Sequence, residues 1–324
     1  MNYHWEKITD KAAFAARDGA GALVFKDRMW LLGGWNPGDK INFPLICNSE
    51  VWSSTDGANW KLENPNAPWE PRHCAGYVVH DGAMWIVGGD TNQGHHQNDV
   101  WKSANGTNWE LVNADVPWSP RAAHYTVAFD GKIWVMGGQT IPKHVPGFEE
   151  IFYNDVWSTA DGVNWERVLE HAPWSHRGMI GGSVVFQDRI WLLGGGTYET
   201  PNEPIRKLYN EVWSTPDGVN WQRHADAKWL FRQYHDVAVF DDKIWVLEGF
   251  SHDFINGGKD FGPFGGNLND VWYSADGENW QELPGTPWPP RHAASVFVYD
   301  DALWMVAGNN MQPDVWKLVK TSGG

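Results

Sequence analysis

Short apolar runs rich in Val, Ile, Phe and Trp alternate along the chain with polar stretches rich in Gly, Asp and Asn. One unit reads Tyr125-Thr-Val-Ala-Phe, then Lys132-Ile-Trp-Val-Met, then Asn154-Asp-Val-Trp-Ser, then Asn164-Trp-Glu-Arg-Val. The β-branched and aromatic content favours strands. Asp130-Gly131 and Asp161-Gly162 supply tight turns between them, because glycine accepts a positive φ without steric cost. Helical periodicity is essentially absent. The unit therefore predicts four strands, and the chain is all-β.

The unit recurs six times. An apolar-Trp pair precedes a glycine doublet at Gly33-Gly34, Gly88-Gly89, Gly137-Gly138 and Gly194-Gly195. Glu248-Gly249 and Ala307-Gly308 are altered copies of the doublet. Three further tryptophan columns run in step. One follows an acid and Val (Trp52, Trp101, Trp157, Trp213, Trp272, Trp316), and one follows Asn after a turn (Trp60, Trp109, Trp165, Trp221, Trp280). The last precedes a Pro-Arg-like step (Trp69, Trp118, Trp174, Trp229, Trp288). Trp5 fits the Asn-Trp column, because His4-Trp5-Glu6 reads like Asn164-Trp165-Glu166; of the 24 tryptophans only Trp35 then lies outside the pattern. The 324 residues divide into units of about 54. The last unit stops after its third strand, and His4-Trp-Glu-Lys-Ile offers the missing fourth. Pairing the two would close a ring and remove a sheet edge. The expectation is one domain over 1–324 with no linker.

Composition narrows the classes. Lys and Arg total 25 against 40 Asp and Glu, a formal charge of −15, so nucleic acid and anionic membrane are poor partners. No apolar run approaches the roughly 20 residues of a membrane span. No basic head followed by an apolar stretch opens the chain, so a cytoplasmic location is expected. Two cysteines, Cys47 and Cys74, exclude a disulfide scaffold and a cysteine-based zinc site and read as free buried thiols. Oligomeric state is not legible.

The glycine doublet after an apolar strand, the Trp after Asn and the Arg that opens each unit resemble the kelch motif over nearly the whole chain. The resemblance implies a six-bladed β-propeller with four strands per blade. It implies no function, because propellers of this kind serve both as interaction modules and as enzymes.

Strand alternation gives such a propeller two unlike faces. The turns between strands one and two, and three and four, are short and acidic, and read as solvated. The loops after the doublets, 35–47, 90–97, 139–153, 196–209 and 250–268, are long and carry His95, His96, His144, Glu149, Glu150, Tyr153, Tyr198, Glu199, Glu203, Arg206, Lys207, Tyr209, His252, Asp253, Lys259 and Asp260. Long loops on a rigid scaffold are where binding sits. Arg17, Arg72, Arg121, Arg177, Arg232 and Arg291 stand just before the first strand of each unit, and His73 and His292 follow their Arg. These eight are the predicted substrate-binding residues: a ring of guanidinium groups at a channel mouth, two or three of them free to fork onto a carboxylate or phosphate. The predicted acid–base residues are His235 and Glu248, with Tyr234 assisting, and His124 as a further candidate.

No cofactor is predicted. His73, His95, His96, His124, His144, His176, His235, His252 and His292 map to the loop-rich half and would allow a divalent metal, but no compact ligand spacing is present. Arg232-Gln-Tyr234-His235 resembles the copper-ligand stretch of galactose oxidase. That family also needs a Cys cross-linked to a Tyr, and the blade after Cys74 offers Ala123 at the matching place, which argues against a copper-radical oxidase. The expected function is proton-transfer chemistry, an isomerase, epimerase or lyase, on an anionic small molecule such as an acidic sugar. The chain is similar in kind to the six-bladed kelch epimerases that act on sialic acid. The alternatives are an interaction module receiving an acidic peptide and a non-catalytic carbohydrate-binding propeller.

Overall fold

The structure, a computed structural model, describes residues 2–91, 95–140, 151–178, 182–197, 207–251 and 266–321. Among them every regular element is a strand. Six four-stranded antiparallel sheets form six blades. The innermost strands are Gly21–Val24, Gly76–His80, Tyr125–Phe129, Ser183–Phe186, Asp236–Phe240 and Ser295–Tyr299. Each touches the innermost strand of the next blade, and the last touches the first, so the blades close a ring.

The ring closes as the repeat predicts. Asn2–Thr9 pairs antiparallel with Val315–Thr321 and becomes the outer strand of blade six. Trp5 then meets Trp288 edge to face at 5.7 Å and 86°. The same pair recurs as Trp69–Trp109, Trp118–Trp165, Trp174–Trp221 and Trp229–Trp280. In blade one Phe14 takes the loop tryptophan's place against Trp60, at 5.2 Å. Edge-to-face aromatic pairs add about 0.5–1.5 kcal/mol beyond the area they bury.

The second glycine of every doublet staples one blade to the next. Its amide donates to the carbonyl of the next blade's arginine, from Gly34 to Arg72 around to Gly308 and Arg17. Its φ lies between 97° and 121° in the six blades, a region side chains rarely enter. The first doublet position has φ near 50–60°, which an L residue tolerates, and Glu248 and Ala307 occupy it in blades five and six. This difference explains why only the first position varies along the chain.

Candidate functional site at the loop-face mouth

The arginine column belongs to the scaffold. Arg17, Arg72, Arg121, Arg177, Arg232 and Arg291 are at most 1% exposed. They pair with Glu50, Asp99, Asp155, Glu211, Asp270 and Asp314 of their own blades at 2.6–2.8 Å. Each Nε donates to the carbonyl two residues back, and each Nη1 to the carbonyl of the first doublet position. The same acids accept the indole N–H of the acid-Val-Trp column. A buried guanidinium must be paired, and these spend their donors inside the blade. The expectation that two or three stand free at the channel mouth is therefore corrected.

The residue after each arginine reaches the mouth. It bridges to the residue after the doublet, as Asp18 to Trp35, His73 to Asp90 and Gln233 to Phe250. A polar arc follows across blades five, six, one and two. His292 Nδ1 donates to Asn267 Oδ1 at 2.6 Å, and its ring lies 5.4 Å from Tyr234 and 5.7 Å from Phe250. Asn309 Nδ2 donates to Asp18 Oδ2 at 2.9 Å. His73 Nδ1 donates to the Asp90 carbonyl at 2.9 Å and lies 3.4 Å from Cys47 Sγ. Trp35 stacks over His73 with centroids 6.1 Å apart. Blades three and four contribute only Ala122 and Gly178 to the same column.

Burial pushes the Asp18 carboxyl up to about 6, against the opposing pull of His73 and Asn309. Asp18 is thus largely ionised at neutral pH yet holds a proton far better than a solvated carboxylate. Burial pushes His292 down to about 3, so it is a neutral imidazole. In His292 Nδ1 carries the proton and Nε2 is left as the acceptor. Gln233 Nε2, Asn267 Nδ2 and Trp35 Nε1 are buried donors without a hydrogen-bond partner.

A belt lies just inside the mouth. Gly19 donates to the Ala293 carbonyl, Cys74 to Gly19, Ala123 to Cys74 and Ala293 to Tyr234. These residues all adopt left-handed backbone, Tyr234 at a φ of 56°. Within the ring of innermost strands lies a cavity of about 200 Å³ that takes lining residues from all six blades. Both cysteines are free and buried.

The predicted acid–base residues separate. His235 and Asp236 are consecutive, so their side chains leave opposite faces of the blade. His235 turns back toward blade four and faces the Leu193 carbonyl, with neither ring nitrogen in a hydrogen bond of ordinary geometry. Burial and Arg232 hold it well below the usual imidazole range. Glu248 runs forward toward blade six, where the Ala294 amide meets the neighbouring Asp236 carboxyl. It pairs with Asp236, not with His235, and Arg232 touches only its backbone carbonyl. Neither His235 nor Glu248 joins the mouth arc, because His235 packs against Gly194 of blade four and Glu248 against Asp236. His124 lines the axial cavity, with Nδ1 2.6 Å from Thr126 Oγ1. Tyr234, His73 and His292 are the predicted site residues that the structure brings to the mouth.

Of the loop residues, His144, Glu149, Glu150, Tyr198, Glu199, Glu203, Arg206, His252, Asp253, Lys259 and Asp260 lie outside the described residues. His95 pairs with Glu70 at 2.9 Å on the surface. No group of three His, Cys, Asp or Glu among the described residues is placed to hold a metal ion. Sequence reasoning missed Asp18, Gln233, Asn267 and Asn309. The column that singled out His73 and His292 contains Asp18 and Gln233 as well, and reading it for any polar residue would have found them.

No family model matches the chain, and no curated protein matches it. Among solved structures, one titled "Structure of YjhT" superposes with a TM-score of 0.69 at 16% identity, covering 95% of each chain. The likeness at that identity is one of fold, and with the blade count it defines the chain as a six-bladed β-propeller.

Proposed function

We propose that this propeller, kelch-type by its repeats, is an enzyme that moves protons on a small hydroxyl-rich molecule of the sugar class, held at the loop-face mouth. The observation that carries the reading is Asp18. It is 7% exposed, shifted to about 6, and stands between Asn309 and His73 on the floor of the mouth. A base with an affinity near neutrality, able to take up a proton from carbon and give it back, suits isomerisation or epimerisation. The amides of Gln233, Asn267 and Asn309 suit hydroxyl groups, and Trp35, Tyr234 and Phe250 suit the C–H faces of a sugar ring. With the arginines paired inside their blades, the described residues supply no clamp for an anion, so the substrate is read as polar, with no need of negative charge.

Proton NMR of a monosaccharide panel in D2O tests this. Added protein should speed isomer interconversion or deuterium uptake, and Asp18→Asn should remove most of the gain with folding intact. If no member of the panel is turned over and none binds, the reading fails. A second reading, a peptide-docking module, is favoured by one observation. Ile41 is 91% exposed and Leu45 56% exposed on the first long loop. Loss of partner capture on Ile41→Ser, with the mouth intact, would support it.

A further inference from the structure

The axial cavity plays no part in the mouth chemistry just described. Its wall takes one residue from each blade at one height: Ala22, Tyr77, Thr126, Ser183, Val237 and Val296. Ala20, Ala75 and Ala294 add to the aliphatic part. Three polar atoms of the lining residues have no hydrogen-bond partner of ordinary geometry outside the acid pair described next, Tyr77 Oη, His124 Nε2 and Asp236 Oδ2. Asp236 is 7% exposed, so its carboxyl has little water to satisfy it.

Asp236 also lacks a counter-charge. Its neighbour is a second carboxyl, Glu248, whose Oε2 accepts the Gly249 amide at 2.6 Å and which meets the Asp236 carboxyl itself. The cations of the two adjacent blades are committed elsewhere, Arg232 to Asp270 and Arg291 to Asp314. One proton shared by the pair leaves a net charge of −1. The six acids of the acid-Val-Trp column each have an arginine; this pair has none. A buried carboxylate left so costs far more than a buried neutral group.

We propose that the axial cavity is a binding site for a small organic ammonium, a short primary amine. Its –NH3+ group donates to Asp236 Oδ2 and to Tyr77 Oη, and its carbon chain lies against the alanine and valine wall. The chemistry of the wall selects this class. A bare metal ion finds no cluster of ligands among the described residues. A neutral polyol would leave the carboxyl pair without a counter-charge, and an anion would face two carboxyls. A volume of about 200 Å³ holds roughly six non-hydrogen atoms at about 30 Å³ each, which is room for ethanolamine or butylamine. Nothing in this site depends on the mouth reading.

Isothermal titration of the full chain with propylammonium and ethanolamine tests it, with tetramethylammonium and 1-propanol as controls. The amines should bind saturably at one site. Tetramethylammonium, which has no N–H, and propanol, which has no charge, should not. Asp236→Asn should weaken the amines about tenfold or more, the worth of a charge-assisted hydrogen bond. Ala22→Leu, which fills the cavity and leaves both carboxyls in place, should abolish binding, and it decides the matter if Asp236→Asn fails to fold. Asp18→Asn should leave binding unchanged. No saturable binding of either amine, equal binding of the controls, unchanged binding in Ala22→Leu, or loss of binding in Asp18→Asn would each overturn the proposal.

Discussion

The His235 imidazole occupies the space that a side chain on Gly194 would need. A Cβ built on Gly194 would stand 2.6 Å from His235 Cε1. Gly88 and His124 repeat the relation between blades two and three, with His124 Nε2 3.1 Å away. In blades five and six the doublet position carries Glu248 or Ala307, and the facing residue of the next blade shrinks to Ala294 or Ala20. At these four interfaces a large side chain thus stands on at most one of the two sides.

Gly194→Ala should therefore destabilise by about 1–3 kcal/mol through overpacking. Adding His235→Ala should give part of that back, because the second change removes the clash and leaves a void. Denaturant midpoints of the two singles and the double form the cycle. Simple additivity would show that the two sites do not compete for space.

The Asp236–Glu248 pair makes stability depend on pH. Burial raises Asp236 to about 7 and, with Asp236 beside it, raises Glu248 well above the carboxylate range. A carboxyl raised on folding binds its proton more tightly in the folded state. Its stabilisation is full below about pH 4, the unfolded value, and is lost as pH climbs through about 7. Glu248→Gln removes one of the two charges. Its melting temperature, relative to the unaltered chain, should rise between pH 5 and 8. His124 works in the opposite sense. Burial and Arg121 lower it to about 3, so its contribution is present above about 6.5 and is lost as pH falls toward 3. His124→Asn should flatten that acid limb.

Arg72 holds both carboxylate oxygens of Asp99, Nη1 to Oδ1 at 2.6 Å and Nη2 to Oδ2 at 2.9 Å. Removing one partner strands the other as a buried charge, at a cost of about 3–5 kcal/mol. Asp99→Asn and Arg72→Met should both lower the urea midpoint by that order. Arg72→Lys should not rescue it, because an ammonium cannot make the fork. At temperatures where the variants stay folded, ligand affinity at the mouth should be unchanged.

Much of the architecture is written in the repeat. Trp5, matched to its column from His4-Trp5-Glu6 alone, sits against Trp288 as its counterparts do in four other blades. The turn glycines fit as well: Gly57, Gly106, Gly162, Gly218 and Gly277 lie under the second-strand tryptophan of the preceding blade, and Tyr3 fills that place against Trp245. The site was less legible, for two physical reasons. A column says at what height a residue sits, but not on which side of the strand its side chain leaves, so His235 and Glu248 looked adjacent while pointing to different neighbours. A recurring charged residue also reads alike whether it faces a ligand or a partner acid. The acids in the acid-Val-Trp column, in step with the arginines through all six units, were the counter-ions in plain view.

The closing strand has a consequence for biosynthesis. Asn2–Thr9 is made before any of the six innermost strands, yet its hydrogen-bonding partner is Val315–Thr321. Until the ribosome has delivered that distant segment, Asn2–Thr9 has no sheet to join, and blade six has an open flank to which another copy's strand could add. The ring therefore locks late and all together, and any early stop in translation leaves an unlatched, association-prone disc.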